Sequence, residues 1–222
     1  MYELIILTLL ARWPLHGYLI AKITNDMLGP HARLSNGRLY PLLAKLEAAG
    51  LIEVADESSR SVNGRRQRVY ALTEAGRKRF HALMMDTTSN QGDYQRIFWY
   101  KVPDLYLLSL SEQLYLLDHY ITYCQAHIFH YTAEIADIPK ATQVFEAPPP
   151  HDGATVFAME HVLRLWRDEL DSAQRWRARI VAAAEQAGAQ EDAAGAEAGA
   201  EAGAAGNGQR GHGSRRATRQ SR

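Results

Sequence analysis

The chain has a single cysteine, Cys124, in 222 residues. That excludes an intrachain disulfide framework and fits a reducing compartment. Long apolar runs are missing as well: none reaches the ~20 residues a membrane-spanning helix needs. The opening MYELIILTLLARW is apolar, but it lacks a basic start and a small-residue cleavage pattern. It is expected to be a core helix and not a signal peptide. The chain thus reads as a soluble cytoplasmic protein with no membrane partner. Catalytic signatures are absent too: there is no G-x-S-x-G, phosphate-binding loop, dinucleotide fingerprint or H-E-x-x-H. Cys124, His127 and His130 could imitate a nucleophile with its base, or a metal set. However, the cysteine sits in an apolar seam where a thiol is inert filler, and no fourth ligand stands at diagnostic spacing. The reading is a non-enzyme with no metal and no cofactor.

Net charge is also lacking, with 25 basic residues against 25 acidic ones. The balance hides an asymmetry. Residues 1–79 hold twelve Lys/Arg and seven Asp/Glu, residues 80–184 hold eight and thirteen, and the remainder has five of each. A basic head on an acidic body points to a polyanion partner for the head alone.

What is present centres on LSNGRLYPLLAKLEAAGLI, residues 34–52. Leu39, Leu42, Leu43 and Leu46 recur at three-and-four spacing, the mark of one buried helical face. Ser35 or Asn36 suits an N-cap, and Gly50 falls where a left-handed residue would end the helix. Pro41 places the helix start near Gly37 or puts a bend in the first turn. Off the leucine face lie Asn36, Arg38, Tyr40, Ala44 and Lys45, a polar, basic edge of the kind that enters a major groove. The plainer alternative is a solubilising surface.

Two apolar helices, broken at Trp13-Pro14, precede this stretch, and two strands, 51–55 and 66–72, follow it with the polar tip DESSRSVNGRR between them. Three helices and then a hairpin with a basic tip is the winged helix-turn-helix order. With PLHGY at Pro14–Tyr18, NGRLYPLLAKLEAAGLI from Asn36 and YALTEAGR from Tyr70, the first eighty or so residues resemble the PadR family of transcriptional regulators. The resemblance implies that 15–28 is the first helix of the motif and lies across the DNA backbone, with Tyr18 and Lys22 on phosphates. The expected DNA-binding set is Tyr18, Lys22, Ser35, Asn36, Arg38, Tyr40, Lys45, Arg60, Arg65, Arg66 and Arg68. The wing arginines would bridge phosphate oxygens, positioning the protein without reading sequence. Edge-strand protection would also favour charge there. Thr73 is expected to cap the next helix, which runs toward Met85.

Farther on, Ser111 and Glu112 are expected to open a long helix with Leu114, Leu117, Ile121, Cys124, Ile128, Tyr131 and Ile135 along a seam. A second helix begins near Ala154, with Val156, Met159, Leu163, Trp166, Leu170 and Ala173 in the same rhythm. The proline-rich IPKATQVFEAPPPHDG between them is expected to be a stiff loop. The seams read as a coiled-coil-like dimer interface made by Leu114, Leu117, Ile121, Ile128, Leu163, Trp166 and Leu170. This part also resembles the larger helical C-terminal domain of one branch of PadR regulators. Aromatic residues concentrate here, and Trp99, Tyr106, Tyr120, Tyr123 and Trp166 are candidate contacts for a small aromatic effector, with ordinary packing as the alternative. PadR-like proteins often respond to such molecules.

The expected architecture is therefore mainly α. A winged helix-turn-helix of three helices and a two-stranded wing spans 1–86, a helical dimerisation and effector domain spans 87–184, and a low-complexity, disordered tail spans 185–222. The expected function is that of a homodimeric, effector-responsive repressor on a palindromic double-stranded operator. An activator of the same family, or a winged-helix interaction module without DNA binding, are the alternatives.

Overall fold

The structure is a computed structural model that describes residues 1–30, 33–56, 68–145 and 150–207, without the side chains of 56, 139–145, 150–152 and 191–207. Helix α1 (Tyr2–Arg12) is buried on nearly every side, from Leu4 to Leu10, and forms the spine of the head. Pro14 cannot continue it and pushes Trp13 into extended backbone. The chain then forms a strand of only two residues, β1 (Leu15–His16), before α2 (Gly17–Leu28) and α3 (Asn36–Ala48). Strands β2 (Ile52–Asp56) and β3 (Val69–Leu72) complete an antiparallel sheet in the order β1-β3-β2. Leu15 lies opposite Tyr70, and Ile52 opposite Leu72. The sheet thus has three strands where the sequence suggested two. The third is too short to leave a period-two signal.

Helix α4 (Glu74–Met85) begins where Thr73 was expected to cap it, and the Thr73 hydroxyl accepts the Gly76 N–H at 3.0 Å. Gly76 itself is dictated by packing. A Cβ there would stand 1.9 Å from the Leu51 carbonyl oxygen and 2.8 Å from Leu72 Cδ2. Asp86 closes this end by accepting the Thr88 and Ser89 N–H groups, which hold its carboxyl well below the usual range.

Three elements follow that the sequence did not reveal, a 3-10 turn (Gln91–Asp93), α5 (Tyr94–Lys101) and a second 3-10 segment (Val102–Leu107). Helix α6 (Leu110–Phe145) then packs along α7 (Pro150–Asn207) as a hairpin. Ser109, two residues earlier than expected, forms the capping box of α6. Its N–H and hydroxyl both donate to Glu112, at 2.9 and 2.7 Å. Helix α6 also runs on through Pro139 to Phe145, so the proline-rich connector is shorter than the sequence suggested. Pro150 opens α7, where a missing N–H costs nothing. Helix α7 continues beyond residue 184 to Asn207 on strong helix formers, Ala and Glu. Residues 185–190 lie exposed on it, so that stretch is helical without being packed. The last fifteen residues are outside the description.

One apolar core runs without a break from α1 through the sheet, α4 and α5 into α6 and Ala173 of α7. Arg12 of α1 reaches across to Asp104, which is fully buried, at 2.5 Å. Burial pushes the Asp104 carboxyl up, and the Arg12 bond pulls the other way. His81 of α4 meets Glu112 at 2.6 Å. Lys101 is buried with its ammonium donating to the Asp86 carbonyl at 2.6 Å, and burial lowers its pKa to about 8.

Candidate nucleic-acid interface

Helix α3 separates its two faces cleanly. Leu39 and Leu43 have no exposure, Leu46 has 4 %, and Leu42 is half-buried beside them. Ser35, Asn36, Arg38, Tyr40, Ala44 and Lys45 are all exposed on the outer side. Ser35 is the N-cap residue, although its side chain makes no capping bond. Pro41 is accommodated inside the helix, so the start lies at Asn36, one residue before the expected position. At the other end Gly50 takes the left-handed conformation, with φ of 69°. The Gly50 N–H bonds Glu47 O and the Leu51 N–H bonds Leu46 O, a Schellman closure that satisfies two final carbonyls.

The start of α2 meets this helix. Gly17 is buried, and a Cβ there would approach Tyr40 Cε1 to 3.2 Å, so the PLHGY glycine makes room for the Tyr40 ring. Tyr18 is 59 % exposed, and Lys22, one turn later, is exposed beside it. Tyr2 of α1 supports Arg38, whose guanidinium lies 5.8 Å from the Tyr2 ring centre. Arg68, at the start of β3, lies 3.8 Å from Glu47 at the end of α3. That pair is solvent-exposed and contributes at most about 1 kcal/mol. Arg60, Arg65 and Arg66 lie outside the described residues. The expected set thus divides in three. Tyr18, Lys22, Ser35, Asn36, Arg38, Tyr40 and Lys45 are exposed on α2, α3 and the residue before α3. Arg68 is half-engaged with Glu47. The three tip arginines carry no description. Tyr2 and Gly17 act behind this surface, and neither was legible as a partner of α3.

The aromatic residues of the helical half are packed against one another. Tyr120 has no exposure, stacks on Phe98 with centroids 3.7 Å apart, and donates its hydroxyl to Glu169 Oε2 at 2.7 Å. Trp99 Nε1 donates to the same oxygen at 2.7 Å, and Gln95 Nε2 to Oε1 at 2.8 Å. One carboxylate of α7 thereby holds α5 and α6 together, a role no sequence signal assigned to Glu169. His127 stacks on Trp166 at 4.0 Å, and Tyr123 meets the same indole edge-on.

As effector contacts the five aromatics therefore separate. Tyr120 is closed off by stacking and by its own hydrogen bond, which corrects its expected place on a ligand wall. Tyr106 is 62 % exposed and makes none of the described ring contacts. Trp99 borders two open clefts. One, of about 430 Å³, is lined by Met27, Gln95, Arg96, Tyr100 and Pro103 as well. The other, of about 400 Å³, is lined as well by Val102, Ser172, Arg175, Trp176 and Arg179.

The expected dimer seam is also divided. Leu117 has no exposure and Leu163 has 7 %, both covered within the chain, so neither reaches a partner from here. Helices α6 and α7 pack along each other within the single chain. Leu114, Ile121, Ile128, Trp166 and Leu170 are half-buried. Cys124 is fully covered and burial pushes its thiol up to about 12, so it is no nucleophile near neutral pH. Among the described residues no cluster of His, Cys, Asp and Glu could hold a metal ion, and no helix is long and apolar enough to cross a membrane.

A three-helix head with a helix-turn-helix and an antiparallel wing sheet defines a winged-helix fold. Residues 6–82, the winged-helix head, match the model of the Transcriptional regulator PadR-like family. An uncharacterized 37.1 kDa protein in transposon TN4556 of Streptomyces fradiae is 35% identical over 102 residues, 46% of this chain. The chain spans only 26% of that protein's length. Among solved structures, Bacillus subtilis PadR in complex with operator DNA is 19% identical, with a TM-score of 0.35 over 80% of this chain and 98% of that one. The Vibrio cholerae virulence activator AphA is 19% identical, with 0.33 over 82% and 99%. Bacillus subtilis PadR in complex with p-coumaric acid is 20% identical, with 0.30 over 80% and 97%. These scores are too low to transfer any feature to this chain.

Proposed function

We propose that this chain is a sequence-specific, DNA-binding transcriptional regulator that acts as a homodimer and represses until a small aromatic effector binds. The observation that carries the reading is the outer face of α3. Asn36, Arg38, Tyr40 and Lys45 are exposed there, opposite leucines that fasten the helix to the core. A helix so presented brings amide, guanidinium, phenol and ammonium tips to base edges in a major groove. Tyr18 and Lys22 of α2 flank it and take phosphates, as does Arg68 at the base of the wing. The tip arginines Arg60, Arg65 and Arg66 are assigned to phosphates from the sequence alone. Two heads held by α6 and α7 of two protomers meet half-sites of a palindromic operator about one helical turn apart, or a multiple of it. The clefts that share Trp99 are the places for a flat aromatic effector, because an indole wall there is open to solvent. The chain works without a resident cofactor, in the cytoplasm.

The test is selection of genomic fragments by the purified protein, followed by titration of the enriched duplex at several salt concentrations. The expected result is a duplex with an inverted repeat, bound tightly, with an affinity that falls steeply as salt rises. Failure to enrich any fragment at low salt sinks the reading. Transcription from the enriched promoter with and without the protein then decides the sign of regulation.

A further inference from the structure

Helix α3 begins without a side-chain capping bond of its own, since the Ser35 hydroxyl makes none. The backbone just before it is nevertheless fastened twice by a side chain from the other helix of the motif. The Leu34 N–H donates to Asn25 Oδ1 at 2.6 Å, and Asn25 Nδ2 donates to the Leu34 carbonyl at 3.2 Å. Asn25 lies on α2, half-buried, and Leu34 anchors its own side chain in the core at 2 % exposure. Donor and acceptor of one amide thus close on donor and acceptor of one peptide residue. Among side chains of this length only Asn carries both groups, because Asp lacks the donor and Leu lacks both.

We propose that Asn25 is the positioning residue that sets the angle and depth of α3 relative to α2, and through them the sequence selectivity of the head. The proposal rests on the DNA-binding reading above. Base-edge hydrogen bonds tolerate little misplacement, because N–H···O contacts weaken steeply outside about 2.7–3.2 Å and below ~120°. Phosphate contacts by long cationic side chains adapt to a small shift, and they carry the sequence-independent part of affinity. A slip of α3 therefore erases discrimination before it erases binding. Substituting Asn25 also leaves the Leu34 N–H and carbonyl without their partner, at the residue that leads directly into the helix.

The experiment compares the full chain with Asn25→Ala in two assays. Without DNA, amide hydrogen exchange is followed at Leu34 and through the first turn of α3. With DNA, binding is measured for the duplex enriched from genomic fragments and for a scrambled duplex of equal length, each at several salt concentrations. The expected result is faster exchange confined to Leu34 and the start of α3. Affinity for the enriched duplex should fall tenfold or more, with the scrambled duplex bound within twofold of wild type and an unchanged salt slope. Unchanged exchange overturns the proposal whatever the DNA does. Equal weakening on both duplexes also overturns it, because it marks a general loss of folded protein. If the wild-type chain binds neither duplex, the regulator reading fails and the role of Asn25 in selectivity falls with it. Wild-type binding with an unaltered preference in the variant removes Asn25 alone. Should Asn25→Ala melt below the assay temperature, Asn25→Asp carries the same comparison, since it keeps the acceptor for the Leu34 N–H and loses only the donor.

Discussion

Arg38 projects from the outer side of α3 while its guanidinium rests 5.8 Å from the Tyr2 ring. Such a contact holds a long side chain in few rotamers, which lowers the entropy lost when it grips a base. Arg38→Ala is expected to cost about 1–3 kcal/mol on the preferred duplex and to flatten preference at one base position. An equal loss on every sequence would move Arg38 to a phosphate. Glu112 offers a test of a different kind. It accepts from the Ser109 hydroxyl, from His81 and from the Ser109 N–H, and these hold its pKa at about 2, against 4.5 for an unperturbed glutamate. Because the folded value is the lower one, the ionised carboxylate stabilises the fold fully above about pH 4.5 and loses that contribution as pH falls toward 2. Urea midpoints of wild type and Glu112→Gln should differ at pH 6 and converge on acidification. A constant gap would show that Glu112 gains nothing from being charged.

At the scale of elements, the sequence was clearest where one element carries its own signals. The leucine spacing of α3, the left-handed Gly50 and the Thr73 cap all act within a few residues, and each is where the pattern placed it. What stayed hidden depends on distant partners. Strand β1 is two residues of β3's pairing and leaves no alternation of its own. The YQRIFWYK run of α5 buries Tyr94, Ile97, Phe98 and Lys101 on one side, but it is only eight residues long and a lysine stands in that buried face, so its periodicity is too short and too mixed to mark a helix. Glu169 reads as one more acid on a charged helix until Trp99, Tyr120 and Gln95 converge on it. Glu169→Leu strips three donors of their acceptor and is expected to cost about 1.5–3 kcal/mol, since bonds to a charged group are the strong ones. Denaturant midpoints measure that loss, and a change in Trp99 emission locates it. Gly76→Ala tests the join of α4 to the sheet. A methyl group 1.9 Å from a backbone oxygen cannot be absorbed by a rotamer change, so α4 must move, at about 1–3 kcal/mol or more. Unaltered stability would mean that the start of α4 is not held where it lies.

For the molecule as a whole, the question is which apolar surface is left after the protomer has folded. The heptad rhythm of α6 and α7 suggested an interface between chains. Leu117, in that seam, is completely covered within one chain and belongs to its continuous core. Leu117→Asp should therefore unfold the hairpin, because it drives an unpaired carboxylate into a covered core. Loss of the melting transition would report this, in place of a clean change in mass. Large apolar groups remain elsewhere on the same helices: Phe129 is 77 % exposed, Phe157 68 % and Leu165 49 %. Side chains of this kind left in water on two neighbouring helices are the material of a subunit contact. Phe129→Asp is expected to leave the melting temperature nearly unchanged and to shift sedimentation from dimer to monomer. A monomeric variant with an intact head then brings one set of cations to the duplex instead of two. The slope of log affinity against log salt should fall to about half that of the dimer, because the slope follows the number of phosphates neutralised. A Phe129→Asp chain that still sediments as a dimer would place the interface away from this part of α6. A monomer with the full slope would show that the two heads never shared one duplex.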